Sequence, residues 1–266
     1  MPELLRLGGD TSADRSSFER DGYLVFDPDL DESTIDAAIA RIEPEFRPEG
    51  RLGGFLRRAK RAALGRDKAL SQRHEVRIQD AWTICEEVKQ IATAPRVIEL
   101  LRELYGREPL PFQTIDFRFG SQQHPHSDAW HFNSEPAGLM CGVWVALEDV
   151  DEDRGPLVVY PGSHRLAELT SGDVERAAGS SDARSYERLV KELVEREGLE
   201  PRPATLRKGE ALVWSSNLLH GGAPQRDITL TRWSQVTHYF FEGCRYWKPG
   251  ASGPEGRHYF APTFVR

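Results

Sequence analysis

The stretch SQQHPHSDAWHFNSEPAGLMCGVW (121–144) decides how the rest of the chain is interpreted. Within it His126 and Asp128 are two residues apart, so in an extended segment both side chains point to the same face. Two such groups can hold a metal ion from one side, but the third ligand must come from elsewhere. His220, in the segment WSSNLLHGGAP, is the best candidate for that ligand.

Two imidazoles and one carboxylate on one face of an octahedron are the donor set of non-haem Fe(II) oxygenases, which leaves three metal positions open. Arg232 follows His220 by twelve residues, inside the apolar segment LTRWSQVTHYFF. A guanidinium that points into a barrel needs an anion, because an unpaired buried charge is strongly destabilising. A dicarboxylate that chelates the metal through one end supplies that anion with its other end. The constellation therefore predicts both iron and 2-oxoglutarate.

From residue 113 onward, short segments of alternating apolar residues are separated by Gly and Pro. This pattern predicts strands in QTIDFRF, CGVWVALEDV, GPLVVYPG, ALVWSS and LTRWSQVTHYFF. Such a series is typical of a double-sheet jelly roll, a fold that holds metal sites at one mouth. The predicted fold class is mainly β with flanking helices, around a double-stranded β-helix (jelly-roll, cupin-like) core.

The predicted organisation is a single domain over residues 1–266, a length that β-barrels use as one unit. A helical N-terminal portion (1–110) precedes the jelly-roll core (about 111–242), which carries a helical insertion at 165–205. The tail (243–266) is rich in Gly, Pro and aromatic residues, and we expect it to be loop packed back on the body.

Helical spacing and punctuation predict further elements before and within the core. They are a strand at Tyr23–Phe26, a helix capped by Ser33, a strand near 75–82, a helix over 86–105 broken at Pro95, and a helix at 183–197.

Composition favours a cytoplasmic protein without nucleic-acid or membrane partners. The net charge is −7 and 29% of residues are charged, which argues against general nucleic-acid binding and against a membrane protein. The longest apolar run, Leu139–Leu147, is too short to span a bilayer, and the N-terminus does not resemble a secretory signal. Three widely spaced cysteines are expected to stay reduced. The oligomeric state is not predicted.

One segment, 51–73, is strongly basic in an otherwise acidic chain: eight Lys and Arg against one Asp give 8 − 1 = +7. Three interpretations stay open for it. It forms a solvated helix face, a lid over the site, or a contact for an anionic substrate.

Two motifs, QQHPHSD (122–128) and WVALEDVDEDRGPLVVYPGSHR (144–165), occur together with His220 and Arg232. In these features the chain resembles the phytanoyl-CoA dioxygenase family of Fe(II)/2-oxoglutarate-dependent oxygenases. The resemblance extends over nearly the whole chain, and it is weakest at 47–80 and 165–205.

The resemblance implies Fe(II), 2-oxoglutarate and O2 as cofactors, with ascorbate as a candidate reductant. It also implies that the iron ligands are His126, Asp128 and His220, and that Arg232 anchors the distal carboxylate of 2-oxoglutarate. Since halogenating relatives replace the carboxylate ligand by a small residue, the presence of Asp128 disfavours halogenation.

Positions on the co-substrate side follow from the same resemblance. Gln122 and Trp144 occupy positions that resemble residues next to 2-oxoglutarate. Family members often carry serine two residues after the distal histidine, where this chain has Gly222. We expect another residue, such as Thr114, to supply the missing hydrogen bond.

Four residues directly after the ligand motif are candidates for substrate contact, because loops on a rigid barrel carry specificity. They are Trp130, His131, Phe132 and Asn133. The alternative for Trp130 and Phe132 is packing beneath the loop. His238 shares a strand face with Arg232 and is interpreted as a buried core histidine, and Trp214 as a core residue.

The predicted function is a dioxygenase that hydroxylates an unactivated carbon of a small molecule and releases succinate and CO2. A non-redox metal-dependent jelly-roll isomerase or lyase is the first alternative, but it has no need for Arg232. A binding protein with a degenerate site is the second, and the intact ligand set argues against it. The sequence leaves open the substrate, and whether hydroxylation, desaturation, ring closure or epimerisation occurs.

Overall fold

The computed structural model describes residues 4, 6, 11–46, 76–252 and 256–266. The basic segment 51–73 lies outside the described residues, so its three interpretations stay predictions. Among the described residues, no helix is both long and apolar enough to cross a membrane.

Six helices of the described residues flank the strands. The first four precede the core or lie between its first strands: α1 (Thr11–Asp21), α2 (Glu32–Ile42), α3 (Glu86–Ala92) and α4 (Pro95–Tyr105). The last two form the insertion: α5 (Ser171–Ala178) and α6 (Ala183–Arg196). The predicted break at Pro95 is present, because Pro95 occupies the first turn of α4, where its missing N–H leaves no bond unmade.

The strands form three antiparallel sheets. A six-stranded major sheet has the order β1 (Tyr23–Phe26), β8 (Ala211–Ser215), β5 (Met140–Ala146), β10 (Ser234–Phe241), β3 (Pro109–Phe117) and β2 (Arg77–Gln79). A minor sheet contains β7 (Arg202–Ala204), β6 (Leu157–Val159) and β9 (His220–Gly222). The third sheet, here called the tail sheet, contains β12 (Tyr259–Phe260), β11 (Arg245–Trp247) and β4 (Asn133–Glu135).

Alternation along the major sheet divides the core into two layers. On β5, Cys141, Val143 and Val145 pack against the helices, while Trp144 and Ala146 face the cluster between the two sheets. All seven residues of β5 are buried, as expected for a strand covered on both faces. The functional site lies on the side that Trp144 faces, so the helical layer supports the sheet from behind.

The five strands predicted from alternation are all present, as β3, β5, β6, β8 and β10. The prediction that the tail is loop is wrong. β11 pairs with both β4 and β12, because Tyr246, Phe260 and Phe264 bury their rings against Phe240 of the major sheet. Helix α5 was missed, although Thr170 and Asp173 form a capping box at its start.

A carboxyl group is buried on the helix-facing side of the major sheet. Asp116 of β3 lies opposite Gln235 of β10, and Gln235 donates to the carbonyl oxygen of Val88 on α3 at 3.0 Å. Asp116 is fully buried, and neither carboxylate oxygen has a hydrogen-bond partner among the described residues. Burial, reinforced by the charge of Asp80, raises the pKa of Asp116 well above its usual range.

Asp116→Asn should therefore raise the free energy of unfolding at neutral pH, by on the order of 1–3 kcal/mol. The unfolded chain releases this proton near the ordinary aspartate pKa of about 4, whereas the folded protein retains it. Stability of the parent protein is therefore lost as pH rises from about 4 through the folded pKa. Urea unfolding at about pH 5 and about pH 8 measures this loss, which the variant should lack. Parallel pH profiles of the two proteins would contradict the assignment.

Candidate metal and co-substrate site

Backbone pairing brings two of the predicted ligands together. The N–H of His126 donates to the carbonyl oxygen of His220, and the N–H of His220 donates to the carbonyl oxygen of His126, both at 2.9 Å. Asp128 begins a short 3-10 turn, Asp128–Trp130, whose capping residue Ser127 accepts a hydrogen bond from the N–H of Ala129. The turn directs Asp128 back toward the two imidazoles.

The three side chains offer donor atoms that all lie within 4.8 Å of one another. Asp128 Oδ1 is 3.7 Å from His220 Nε2 and 4.0 Å from His126 Nε2. Each histidine Nδ1 lies 2.9 Å from a carbonyl oxygen, of His124 for His126 and of Leu218 for His220. A proton on each Nδ1 satisfies these contacts and leaves both Nε2 lone pairs free, so the donor set fits a divalent transition metal.

Electrostatics keep the ligand atoms of His126 and Asp128 free of protons at neutral pH. Burial, together with His220, lowers the pKa of His126 to about 4. Burial opposes the ionisation of Asp128, but the neighbouring His220, His238 and His126 outweigh it and hold its pKa below the usual range. Since metals bind deprotonated ligands, both shifts favour metal binding.

Two residues that the sequence analysis did not assign to the site hold the second oxygen of Asp128. Trp214 Nε1 donates to Asp128 Oδ2 at 2.8 Å, and His238 Nε2 lies 3.3 Å from the same oxygen. The indole fits because the residue opposite Trp214 on β5 is Gly142, where a Cβ would lie 2.2 Å from the ring. The sequence could have assigned His238 to the site, because His238 lies on the same strand face as Arg232.

Arg232 lies in the same cavity and is only 3% exposed. Its guanidinium lies over the rings of Phe117 and Trp144, at 5.5 and 5.4 Å, and Nη1 donates to Ser234 Oγ at 3.2 Å. Nε has no partner among the described residues. Burial lowers the pKa of Arg232 to about 10, so the side chain stays charged at neutral pH. A buried cation with an N–H donor to spare fits a carboxylate ligand.

The cavity has a volume of about 630 Å³ and contains all three triad residues. Arg232 lines one end of the cavity, and residues of the tail sheet line the other end. Among the other lining residues are Trp144, Ser121, Phe112, His131, Phe132, Phe260 and Lys248. The volume accommodates a small molecule beside a co-substrate.

The family model described as Phytanoyl-CoA dioxygenase (PhyH) matches residues 18–227. The chain belongs to the phytanoyl-CoA dioxygenase family. This membership, together with the His–Asp–His donor set, makes the protein a non-haem iron dioxygenase that uses 2-oxoglutarate. The predicted enzyme class is confirmed, and so are iron and 2-oxoglutarate as cofactors, whereas ascorbate stays a prediction.

Individual relatives differ in what they act on. The peroxisomal phytanoyl-CoA dioxygenase of Rattus norvegicus is 24% identical over 240 residues, which are 87% of this chain and 69% of that protein. The ectoine dioxygenase of Halomonas elongata is 26% identical over 235 residues, 79% of this chain and 64% of that protein. The chain thus spans about two thirds of each of these curated relatives.

A solved structure confirms the fold class. The epimerase SnoN from nogalamycin biosynthesis, in complex with Fe3+, alpha ketoglutarate and nogalamycin RO, superposes with a TM-score of 0.62 at 19% identity. The superposition covers 97% of this chain and 99% of SnoN. The major sheet and the minor sheet are therefore the two sheets of the predicted jelly-roll core.

Two predicted co-substrate residues lie elsewhere. Thr114 is opposite Thr237 on the helix-facing side of the major sheet, so its hydroxyl points away from the cavity. Gln122 has a left-handed backbone (φ 49°), and its side-chain oxygen accepts from the N–H of Gln225 at 3.4 Å, outside the cavity lining. Both predictions need correction, whereas Trp144 lines the cavity beside Arg232.

Ser121 occupies the space left by Gly222, the residue two positions after His220. A Cβ on Gly222 would lie 2.7 Å from the backbone nitrogen of Gln122 and 3.0 Å from Ser121 Oγ. Close backbone approach therefore excludes a side chain at position 222. Ser121, which lines the cavity, places its hydroxyl 3.0 Å from where that Cβ would lie.

Two of the four candidate substrate contacts line the cavity, His131 and Phe132. Trp130 instead stacks on Tyr186 of α6, with ring centroids 4.4 Å apart, because the insertion covers it. Asn133 is 2% exposed and donates to Glu168 at 2.6 Å within the start of the tail sheet. The predictions for Trp130 and Asn133 therefore need correction, and both are packing residues.

Trp214→Phe should weaken metal binding by roughly 10–100-fold, because Asp128 loses the donor that fixes its outer oxygen. Trp247→Phe is the matched control, since the indole N–H of Trp247 is buried without a partner among the described residues and does not contact Asp128. Calorimetric titration of both metal-free variants with Mn(II) compares their affinities. Equal affinities would show that the indole does not orient the ligand.

Proposed function

We propose that this dioxygenase hydroxylates an unactivated carbon of a small molecule, coupled to the oxidative decarboxylation of 2-oxoglutarate to succinate and CO2. The observation that carries the proposal is Arg232, a buried cation without a carboxylate partner among the described residues, in the same cavity as the His–Asp–His set. A non-redox metalloprotein gains nothing from that arrangement, whose burial costs stability.

In this proposal His126, His220 and Asp128 hold the iron, which when bound supplies the oxygen chemistry that breaks the C–H bond. Asp128 binds through Oδ1, since Trp214 and His238 occupy Oδ2. Binding through one oxygen would keep the protein's donor set at one carboxylate oxygen and two imidazole nitrogens, so that 2-oxoglutarate and O2 could also reach the metal. The two outer residues thus preserve the open position that the reaction needs.

The co-substrate extends from the triad toward Arg232. The guanidinium forms a charge-assisted pair with the distal carboxylate, using the Nε that has no partner in the described structure. Trp144 Nε1 is also buried without a partner among the described residues and lies in the same cavity, so it is available as a second donor. Ser121 supplies the hydroxyl that Gly222 lacks.

The substrate occupies the other end of the cavity, where aromatic rings exclude water from the reacting carbon. Phe132 lies 5.2 Å from Phe112 and 6.0 Å from His238, measured between ring centroids, so its ring lies beside the histidine that contacts Asp128. Phe260 of the tail sheet lies 6.3 Å from Phe132 and extends this apolar wall. Close packing of a C–H bond against such a surface places it for abstraction and keeps the site dry.

Arg232→Ala should weaken 2-oxoglutarate binding by on the order of 100-fold or more while leaving Fe(II) affinity near that of the parent, because one distal charge pair is lost. Asp128→Ala should weaken Fe(II) binding itself. An anaerobic titration with Fe(II) and then 2-oxoglutarate, followed by the visible metal-to-ligand charge-transfer band, separates the two effects.

Arg226→Ala serves as the control, because Arg226 is exposed and paired with Glu152. It should keep both affinities. Retention of the band at unchanged 2-oxoglutarate affinity in Arg232→Ala would remove the assignment of Arg232. Fe(II) binding without the band in the parent protein would instead favour a non-redox metal site.

A further inference from the structure

Lys248 lies at the opposite end of the cavity from Arg232. Arg232 contacts Ser234 at the start of β10. Lys248 instead contacts the ring of Phe260, whose centroid lies 6.1 Å from that of Phe240 near the end of the same strand. Phe240 is six positions after Ser234 along the strand, which corresponds to about 20 Å. The triad lies between these ends, since His238 of β10 contacts Asp128.

The ammonium of Lys248 is held over two rings that line the cavity. Nζ lies 4.8 Å from the centroid of Phe260 and 5.8 Å from that of Phe132. Aromatic faces attract a cation and fix its position, but they do not neutralise its charge. Lys248 is half-buried and forms no ion pair with any described carboxylate. The charge is therefore presented to the cavity.

Two other cations in or beside the tail sheet are paired. Arg245 and Arg257 both contact Glu135, the latter at 3.0 Å. Asp80, the carboxylate that lines the cavity besides Asp128, accepts hydrogen bonds from the N–H of Thr114 at 3.1 Å and from Trp82 Nε1 at 3.3 Å. Neither carboxylate pairs with Lys248.

The charge balance of the loaded cavity also favours an anion. Its charged lining residues are Arg77, Arg232 and Lys248 against Asp80 and Asp128, a balance of 3 − 2 = +1. Fe(II) and the dianion 2-oxoglutarate cancel each other, so the balance stays at +1. Arg232 and Asp128 are then engaged by co-substrate and metal. A cleft of residual positive charge raises the local concentration of anions.

We propose that Lys248 binds an anionic group of the substrate, a carboxylate or a phosphate, while Phe112, Phe132 and Phe260 hold an apolar body between that group and the iron. The inference rests on the proposed function, because it places the substrate on the side of the triad away from 2-oxoglutarate. It assigns the substrate class as an organic anion with an apolar or ring-bearing body.

Three probes with one ring and different head groups test the proposal: 3-phenylpropanoate, 2-phenylethyl phosphate and the neutral 3-phenylpropanamide. Each is titrated into the anaerobic complex with Fe(II) and 2-oxoglutarate, and binding is read from the shift of the charge-transfer band. We expect at least one anion to bind roughly tenfold tighter than the amide, the value of one good charge contact. The tighter anion distinguishes carboxylate from phosphate recognition.

Lys248→Met should abolish this preference and Lys248→Arg should retain it, while both keep the band itself. Lys191→Met, on the exposed side of α6, is the matched control and should behave as the parent. Equal binding of anions and amide in the parent, including no binding of any probe, overturns the proposal. So does an unchanged preference in Lys248→Met, or loss of the band on adding an anion, which shows displacement of 2-oxoglutarate at Arg232.

The failure of the proposed function is recognised separately. If the parent forms no band with Fe(II) and 2-oxoglutarate, the co-substrate assignment is wrong. Calorimetric titration of the same probes into the protein without metal then decides the role of Lys248 on its own: a preference for anions that Lys248→Met abolishes supports it, and equal binding rejects it.

Discussion

The pair of backbone hydrogen bonds between His126 and His220 is the contact on which the site depends. It attaches an irregular loop of 119–132 to β9 of the minor sheet, and so fixes two imidazoles that are far apart in sequence. Without this contact, His126 and Asp128 would lie on a loop that is not attached to the strand of His220. Because the contact is made by the backbone, its geometry does not depend on either side chain, and the ligands are preorganised before metal binds.

Missing side chains are as important here as those present. Gly142 leaves room for the indole of Trp214, which then reaches Asp128, and Gly222 leaves room for the backbone of Gln122. In each case a Cβ would lie under 3.0 Å from its neighbour. The two glycines thus control the orientation of the carboxylate ligand on one side and the place of the Ser121 hydroxyl on the other.

The sequence predicted the fold class, the His–Asp–His set and the burial of Arg232, because strand alternation and ligand spacing are local patterns. The residues it misplaced depend on long-range geometry. Thr114 was expected at the co-substrate, but the face of a strand residue follows from the register with β10, which alternation alone does not reveal. Trp130 packs beneath α6, an insertion whose docking no local pattern predicts. The tail forms strands because its aromatic rings pack against Phe240, which is distant in sequence from Phe260 and Phe264.

The cavity contains polar and charged groups whose burial destabilises the protein, and its ligands offset this effect when they bind. Arg232 Nε and Trp144 Nε1 are buried without partners among the described residues at one end, and two imidazoles face a carboxylate at the centre. Polar groups in this state destabilise a protein unless something binds them. A ligand that binds only the folded chain satisfies these groups and therefore stabilises the fold. Lys248 is only half-buried, but its ammonium lies over two aromatic rings and pairs with no described carboxylate, so an anionic substrate would be stabilised there by the same kind of contact.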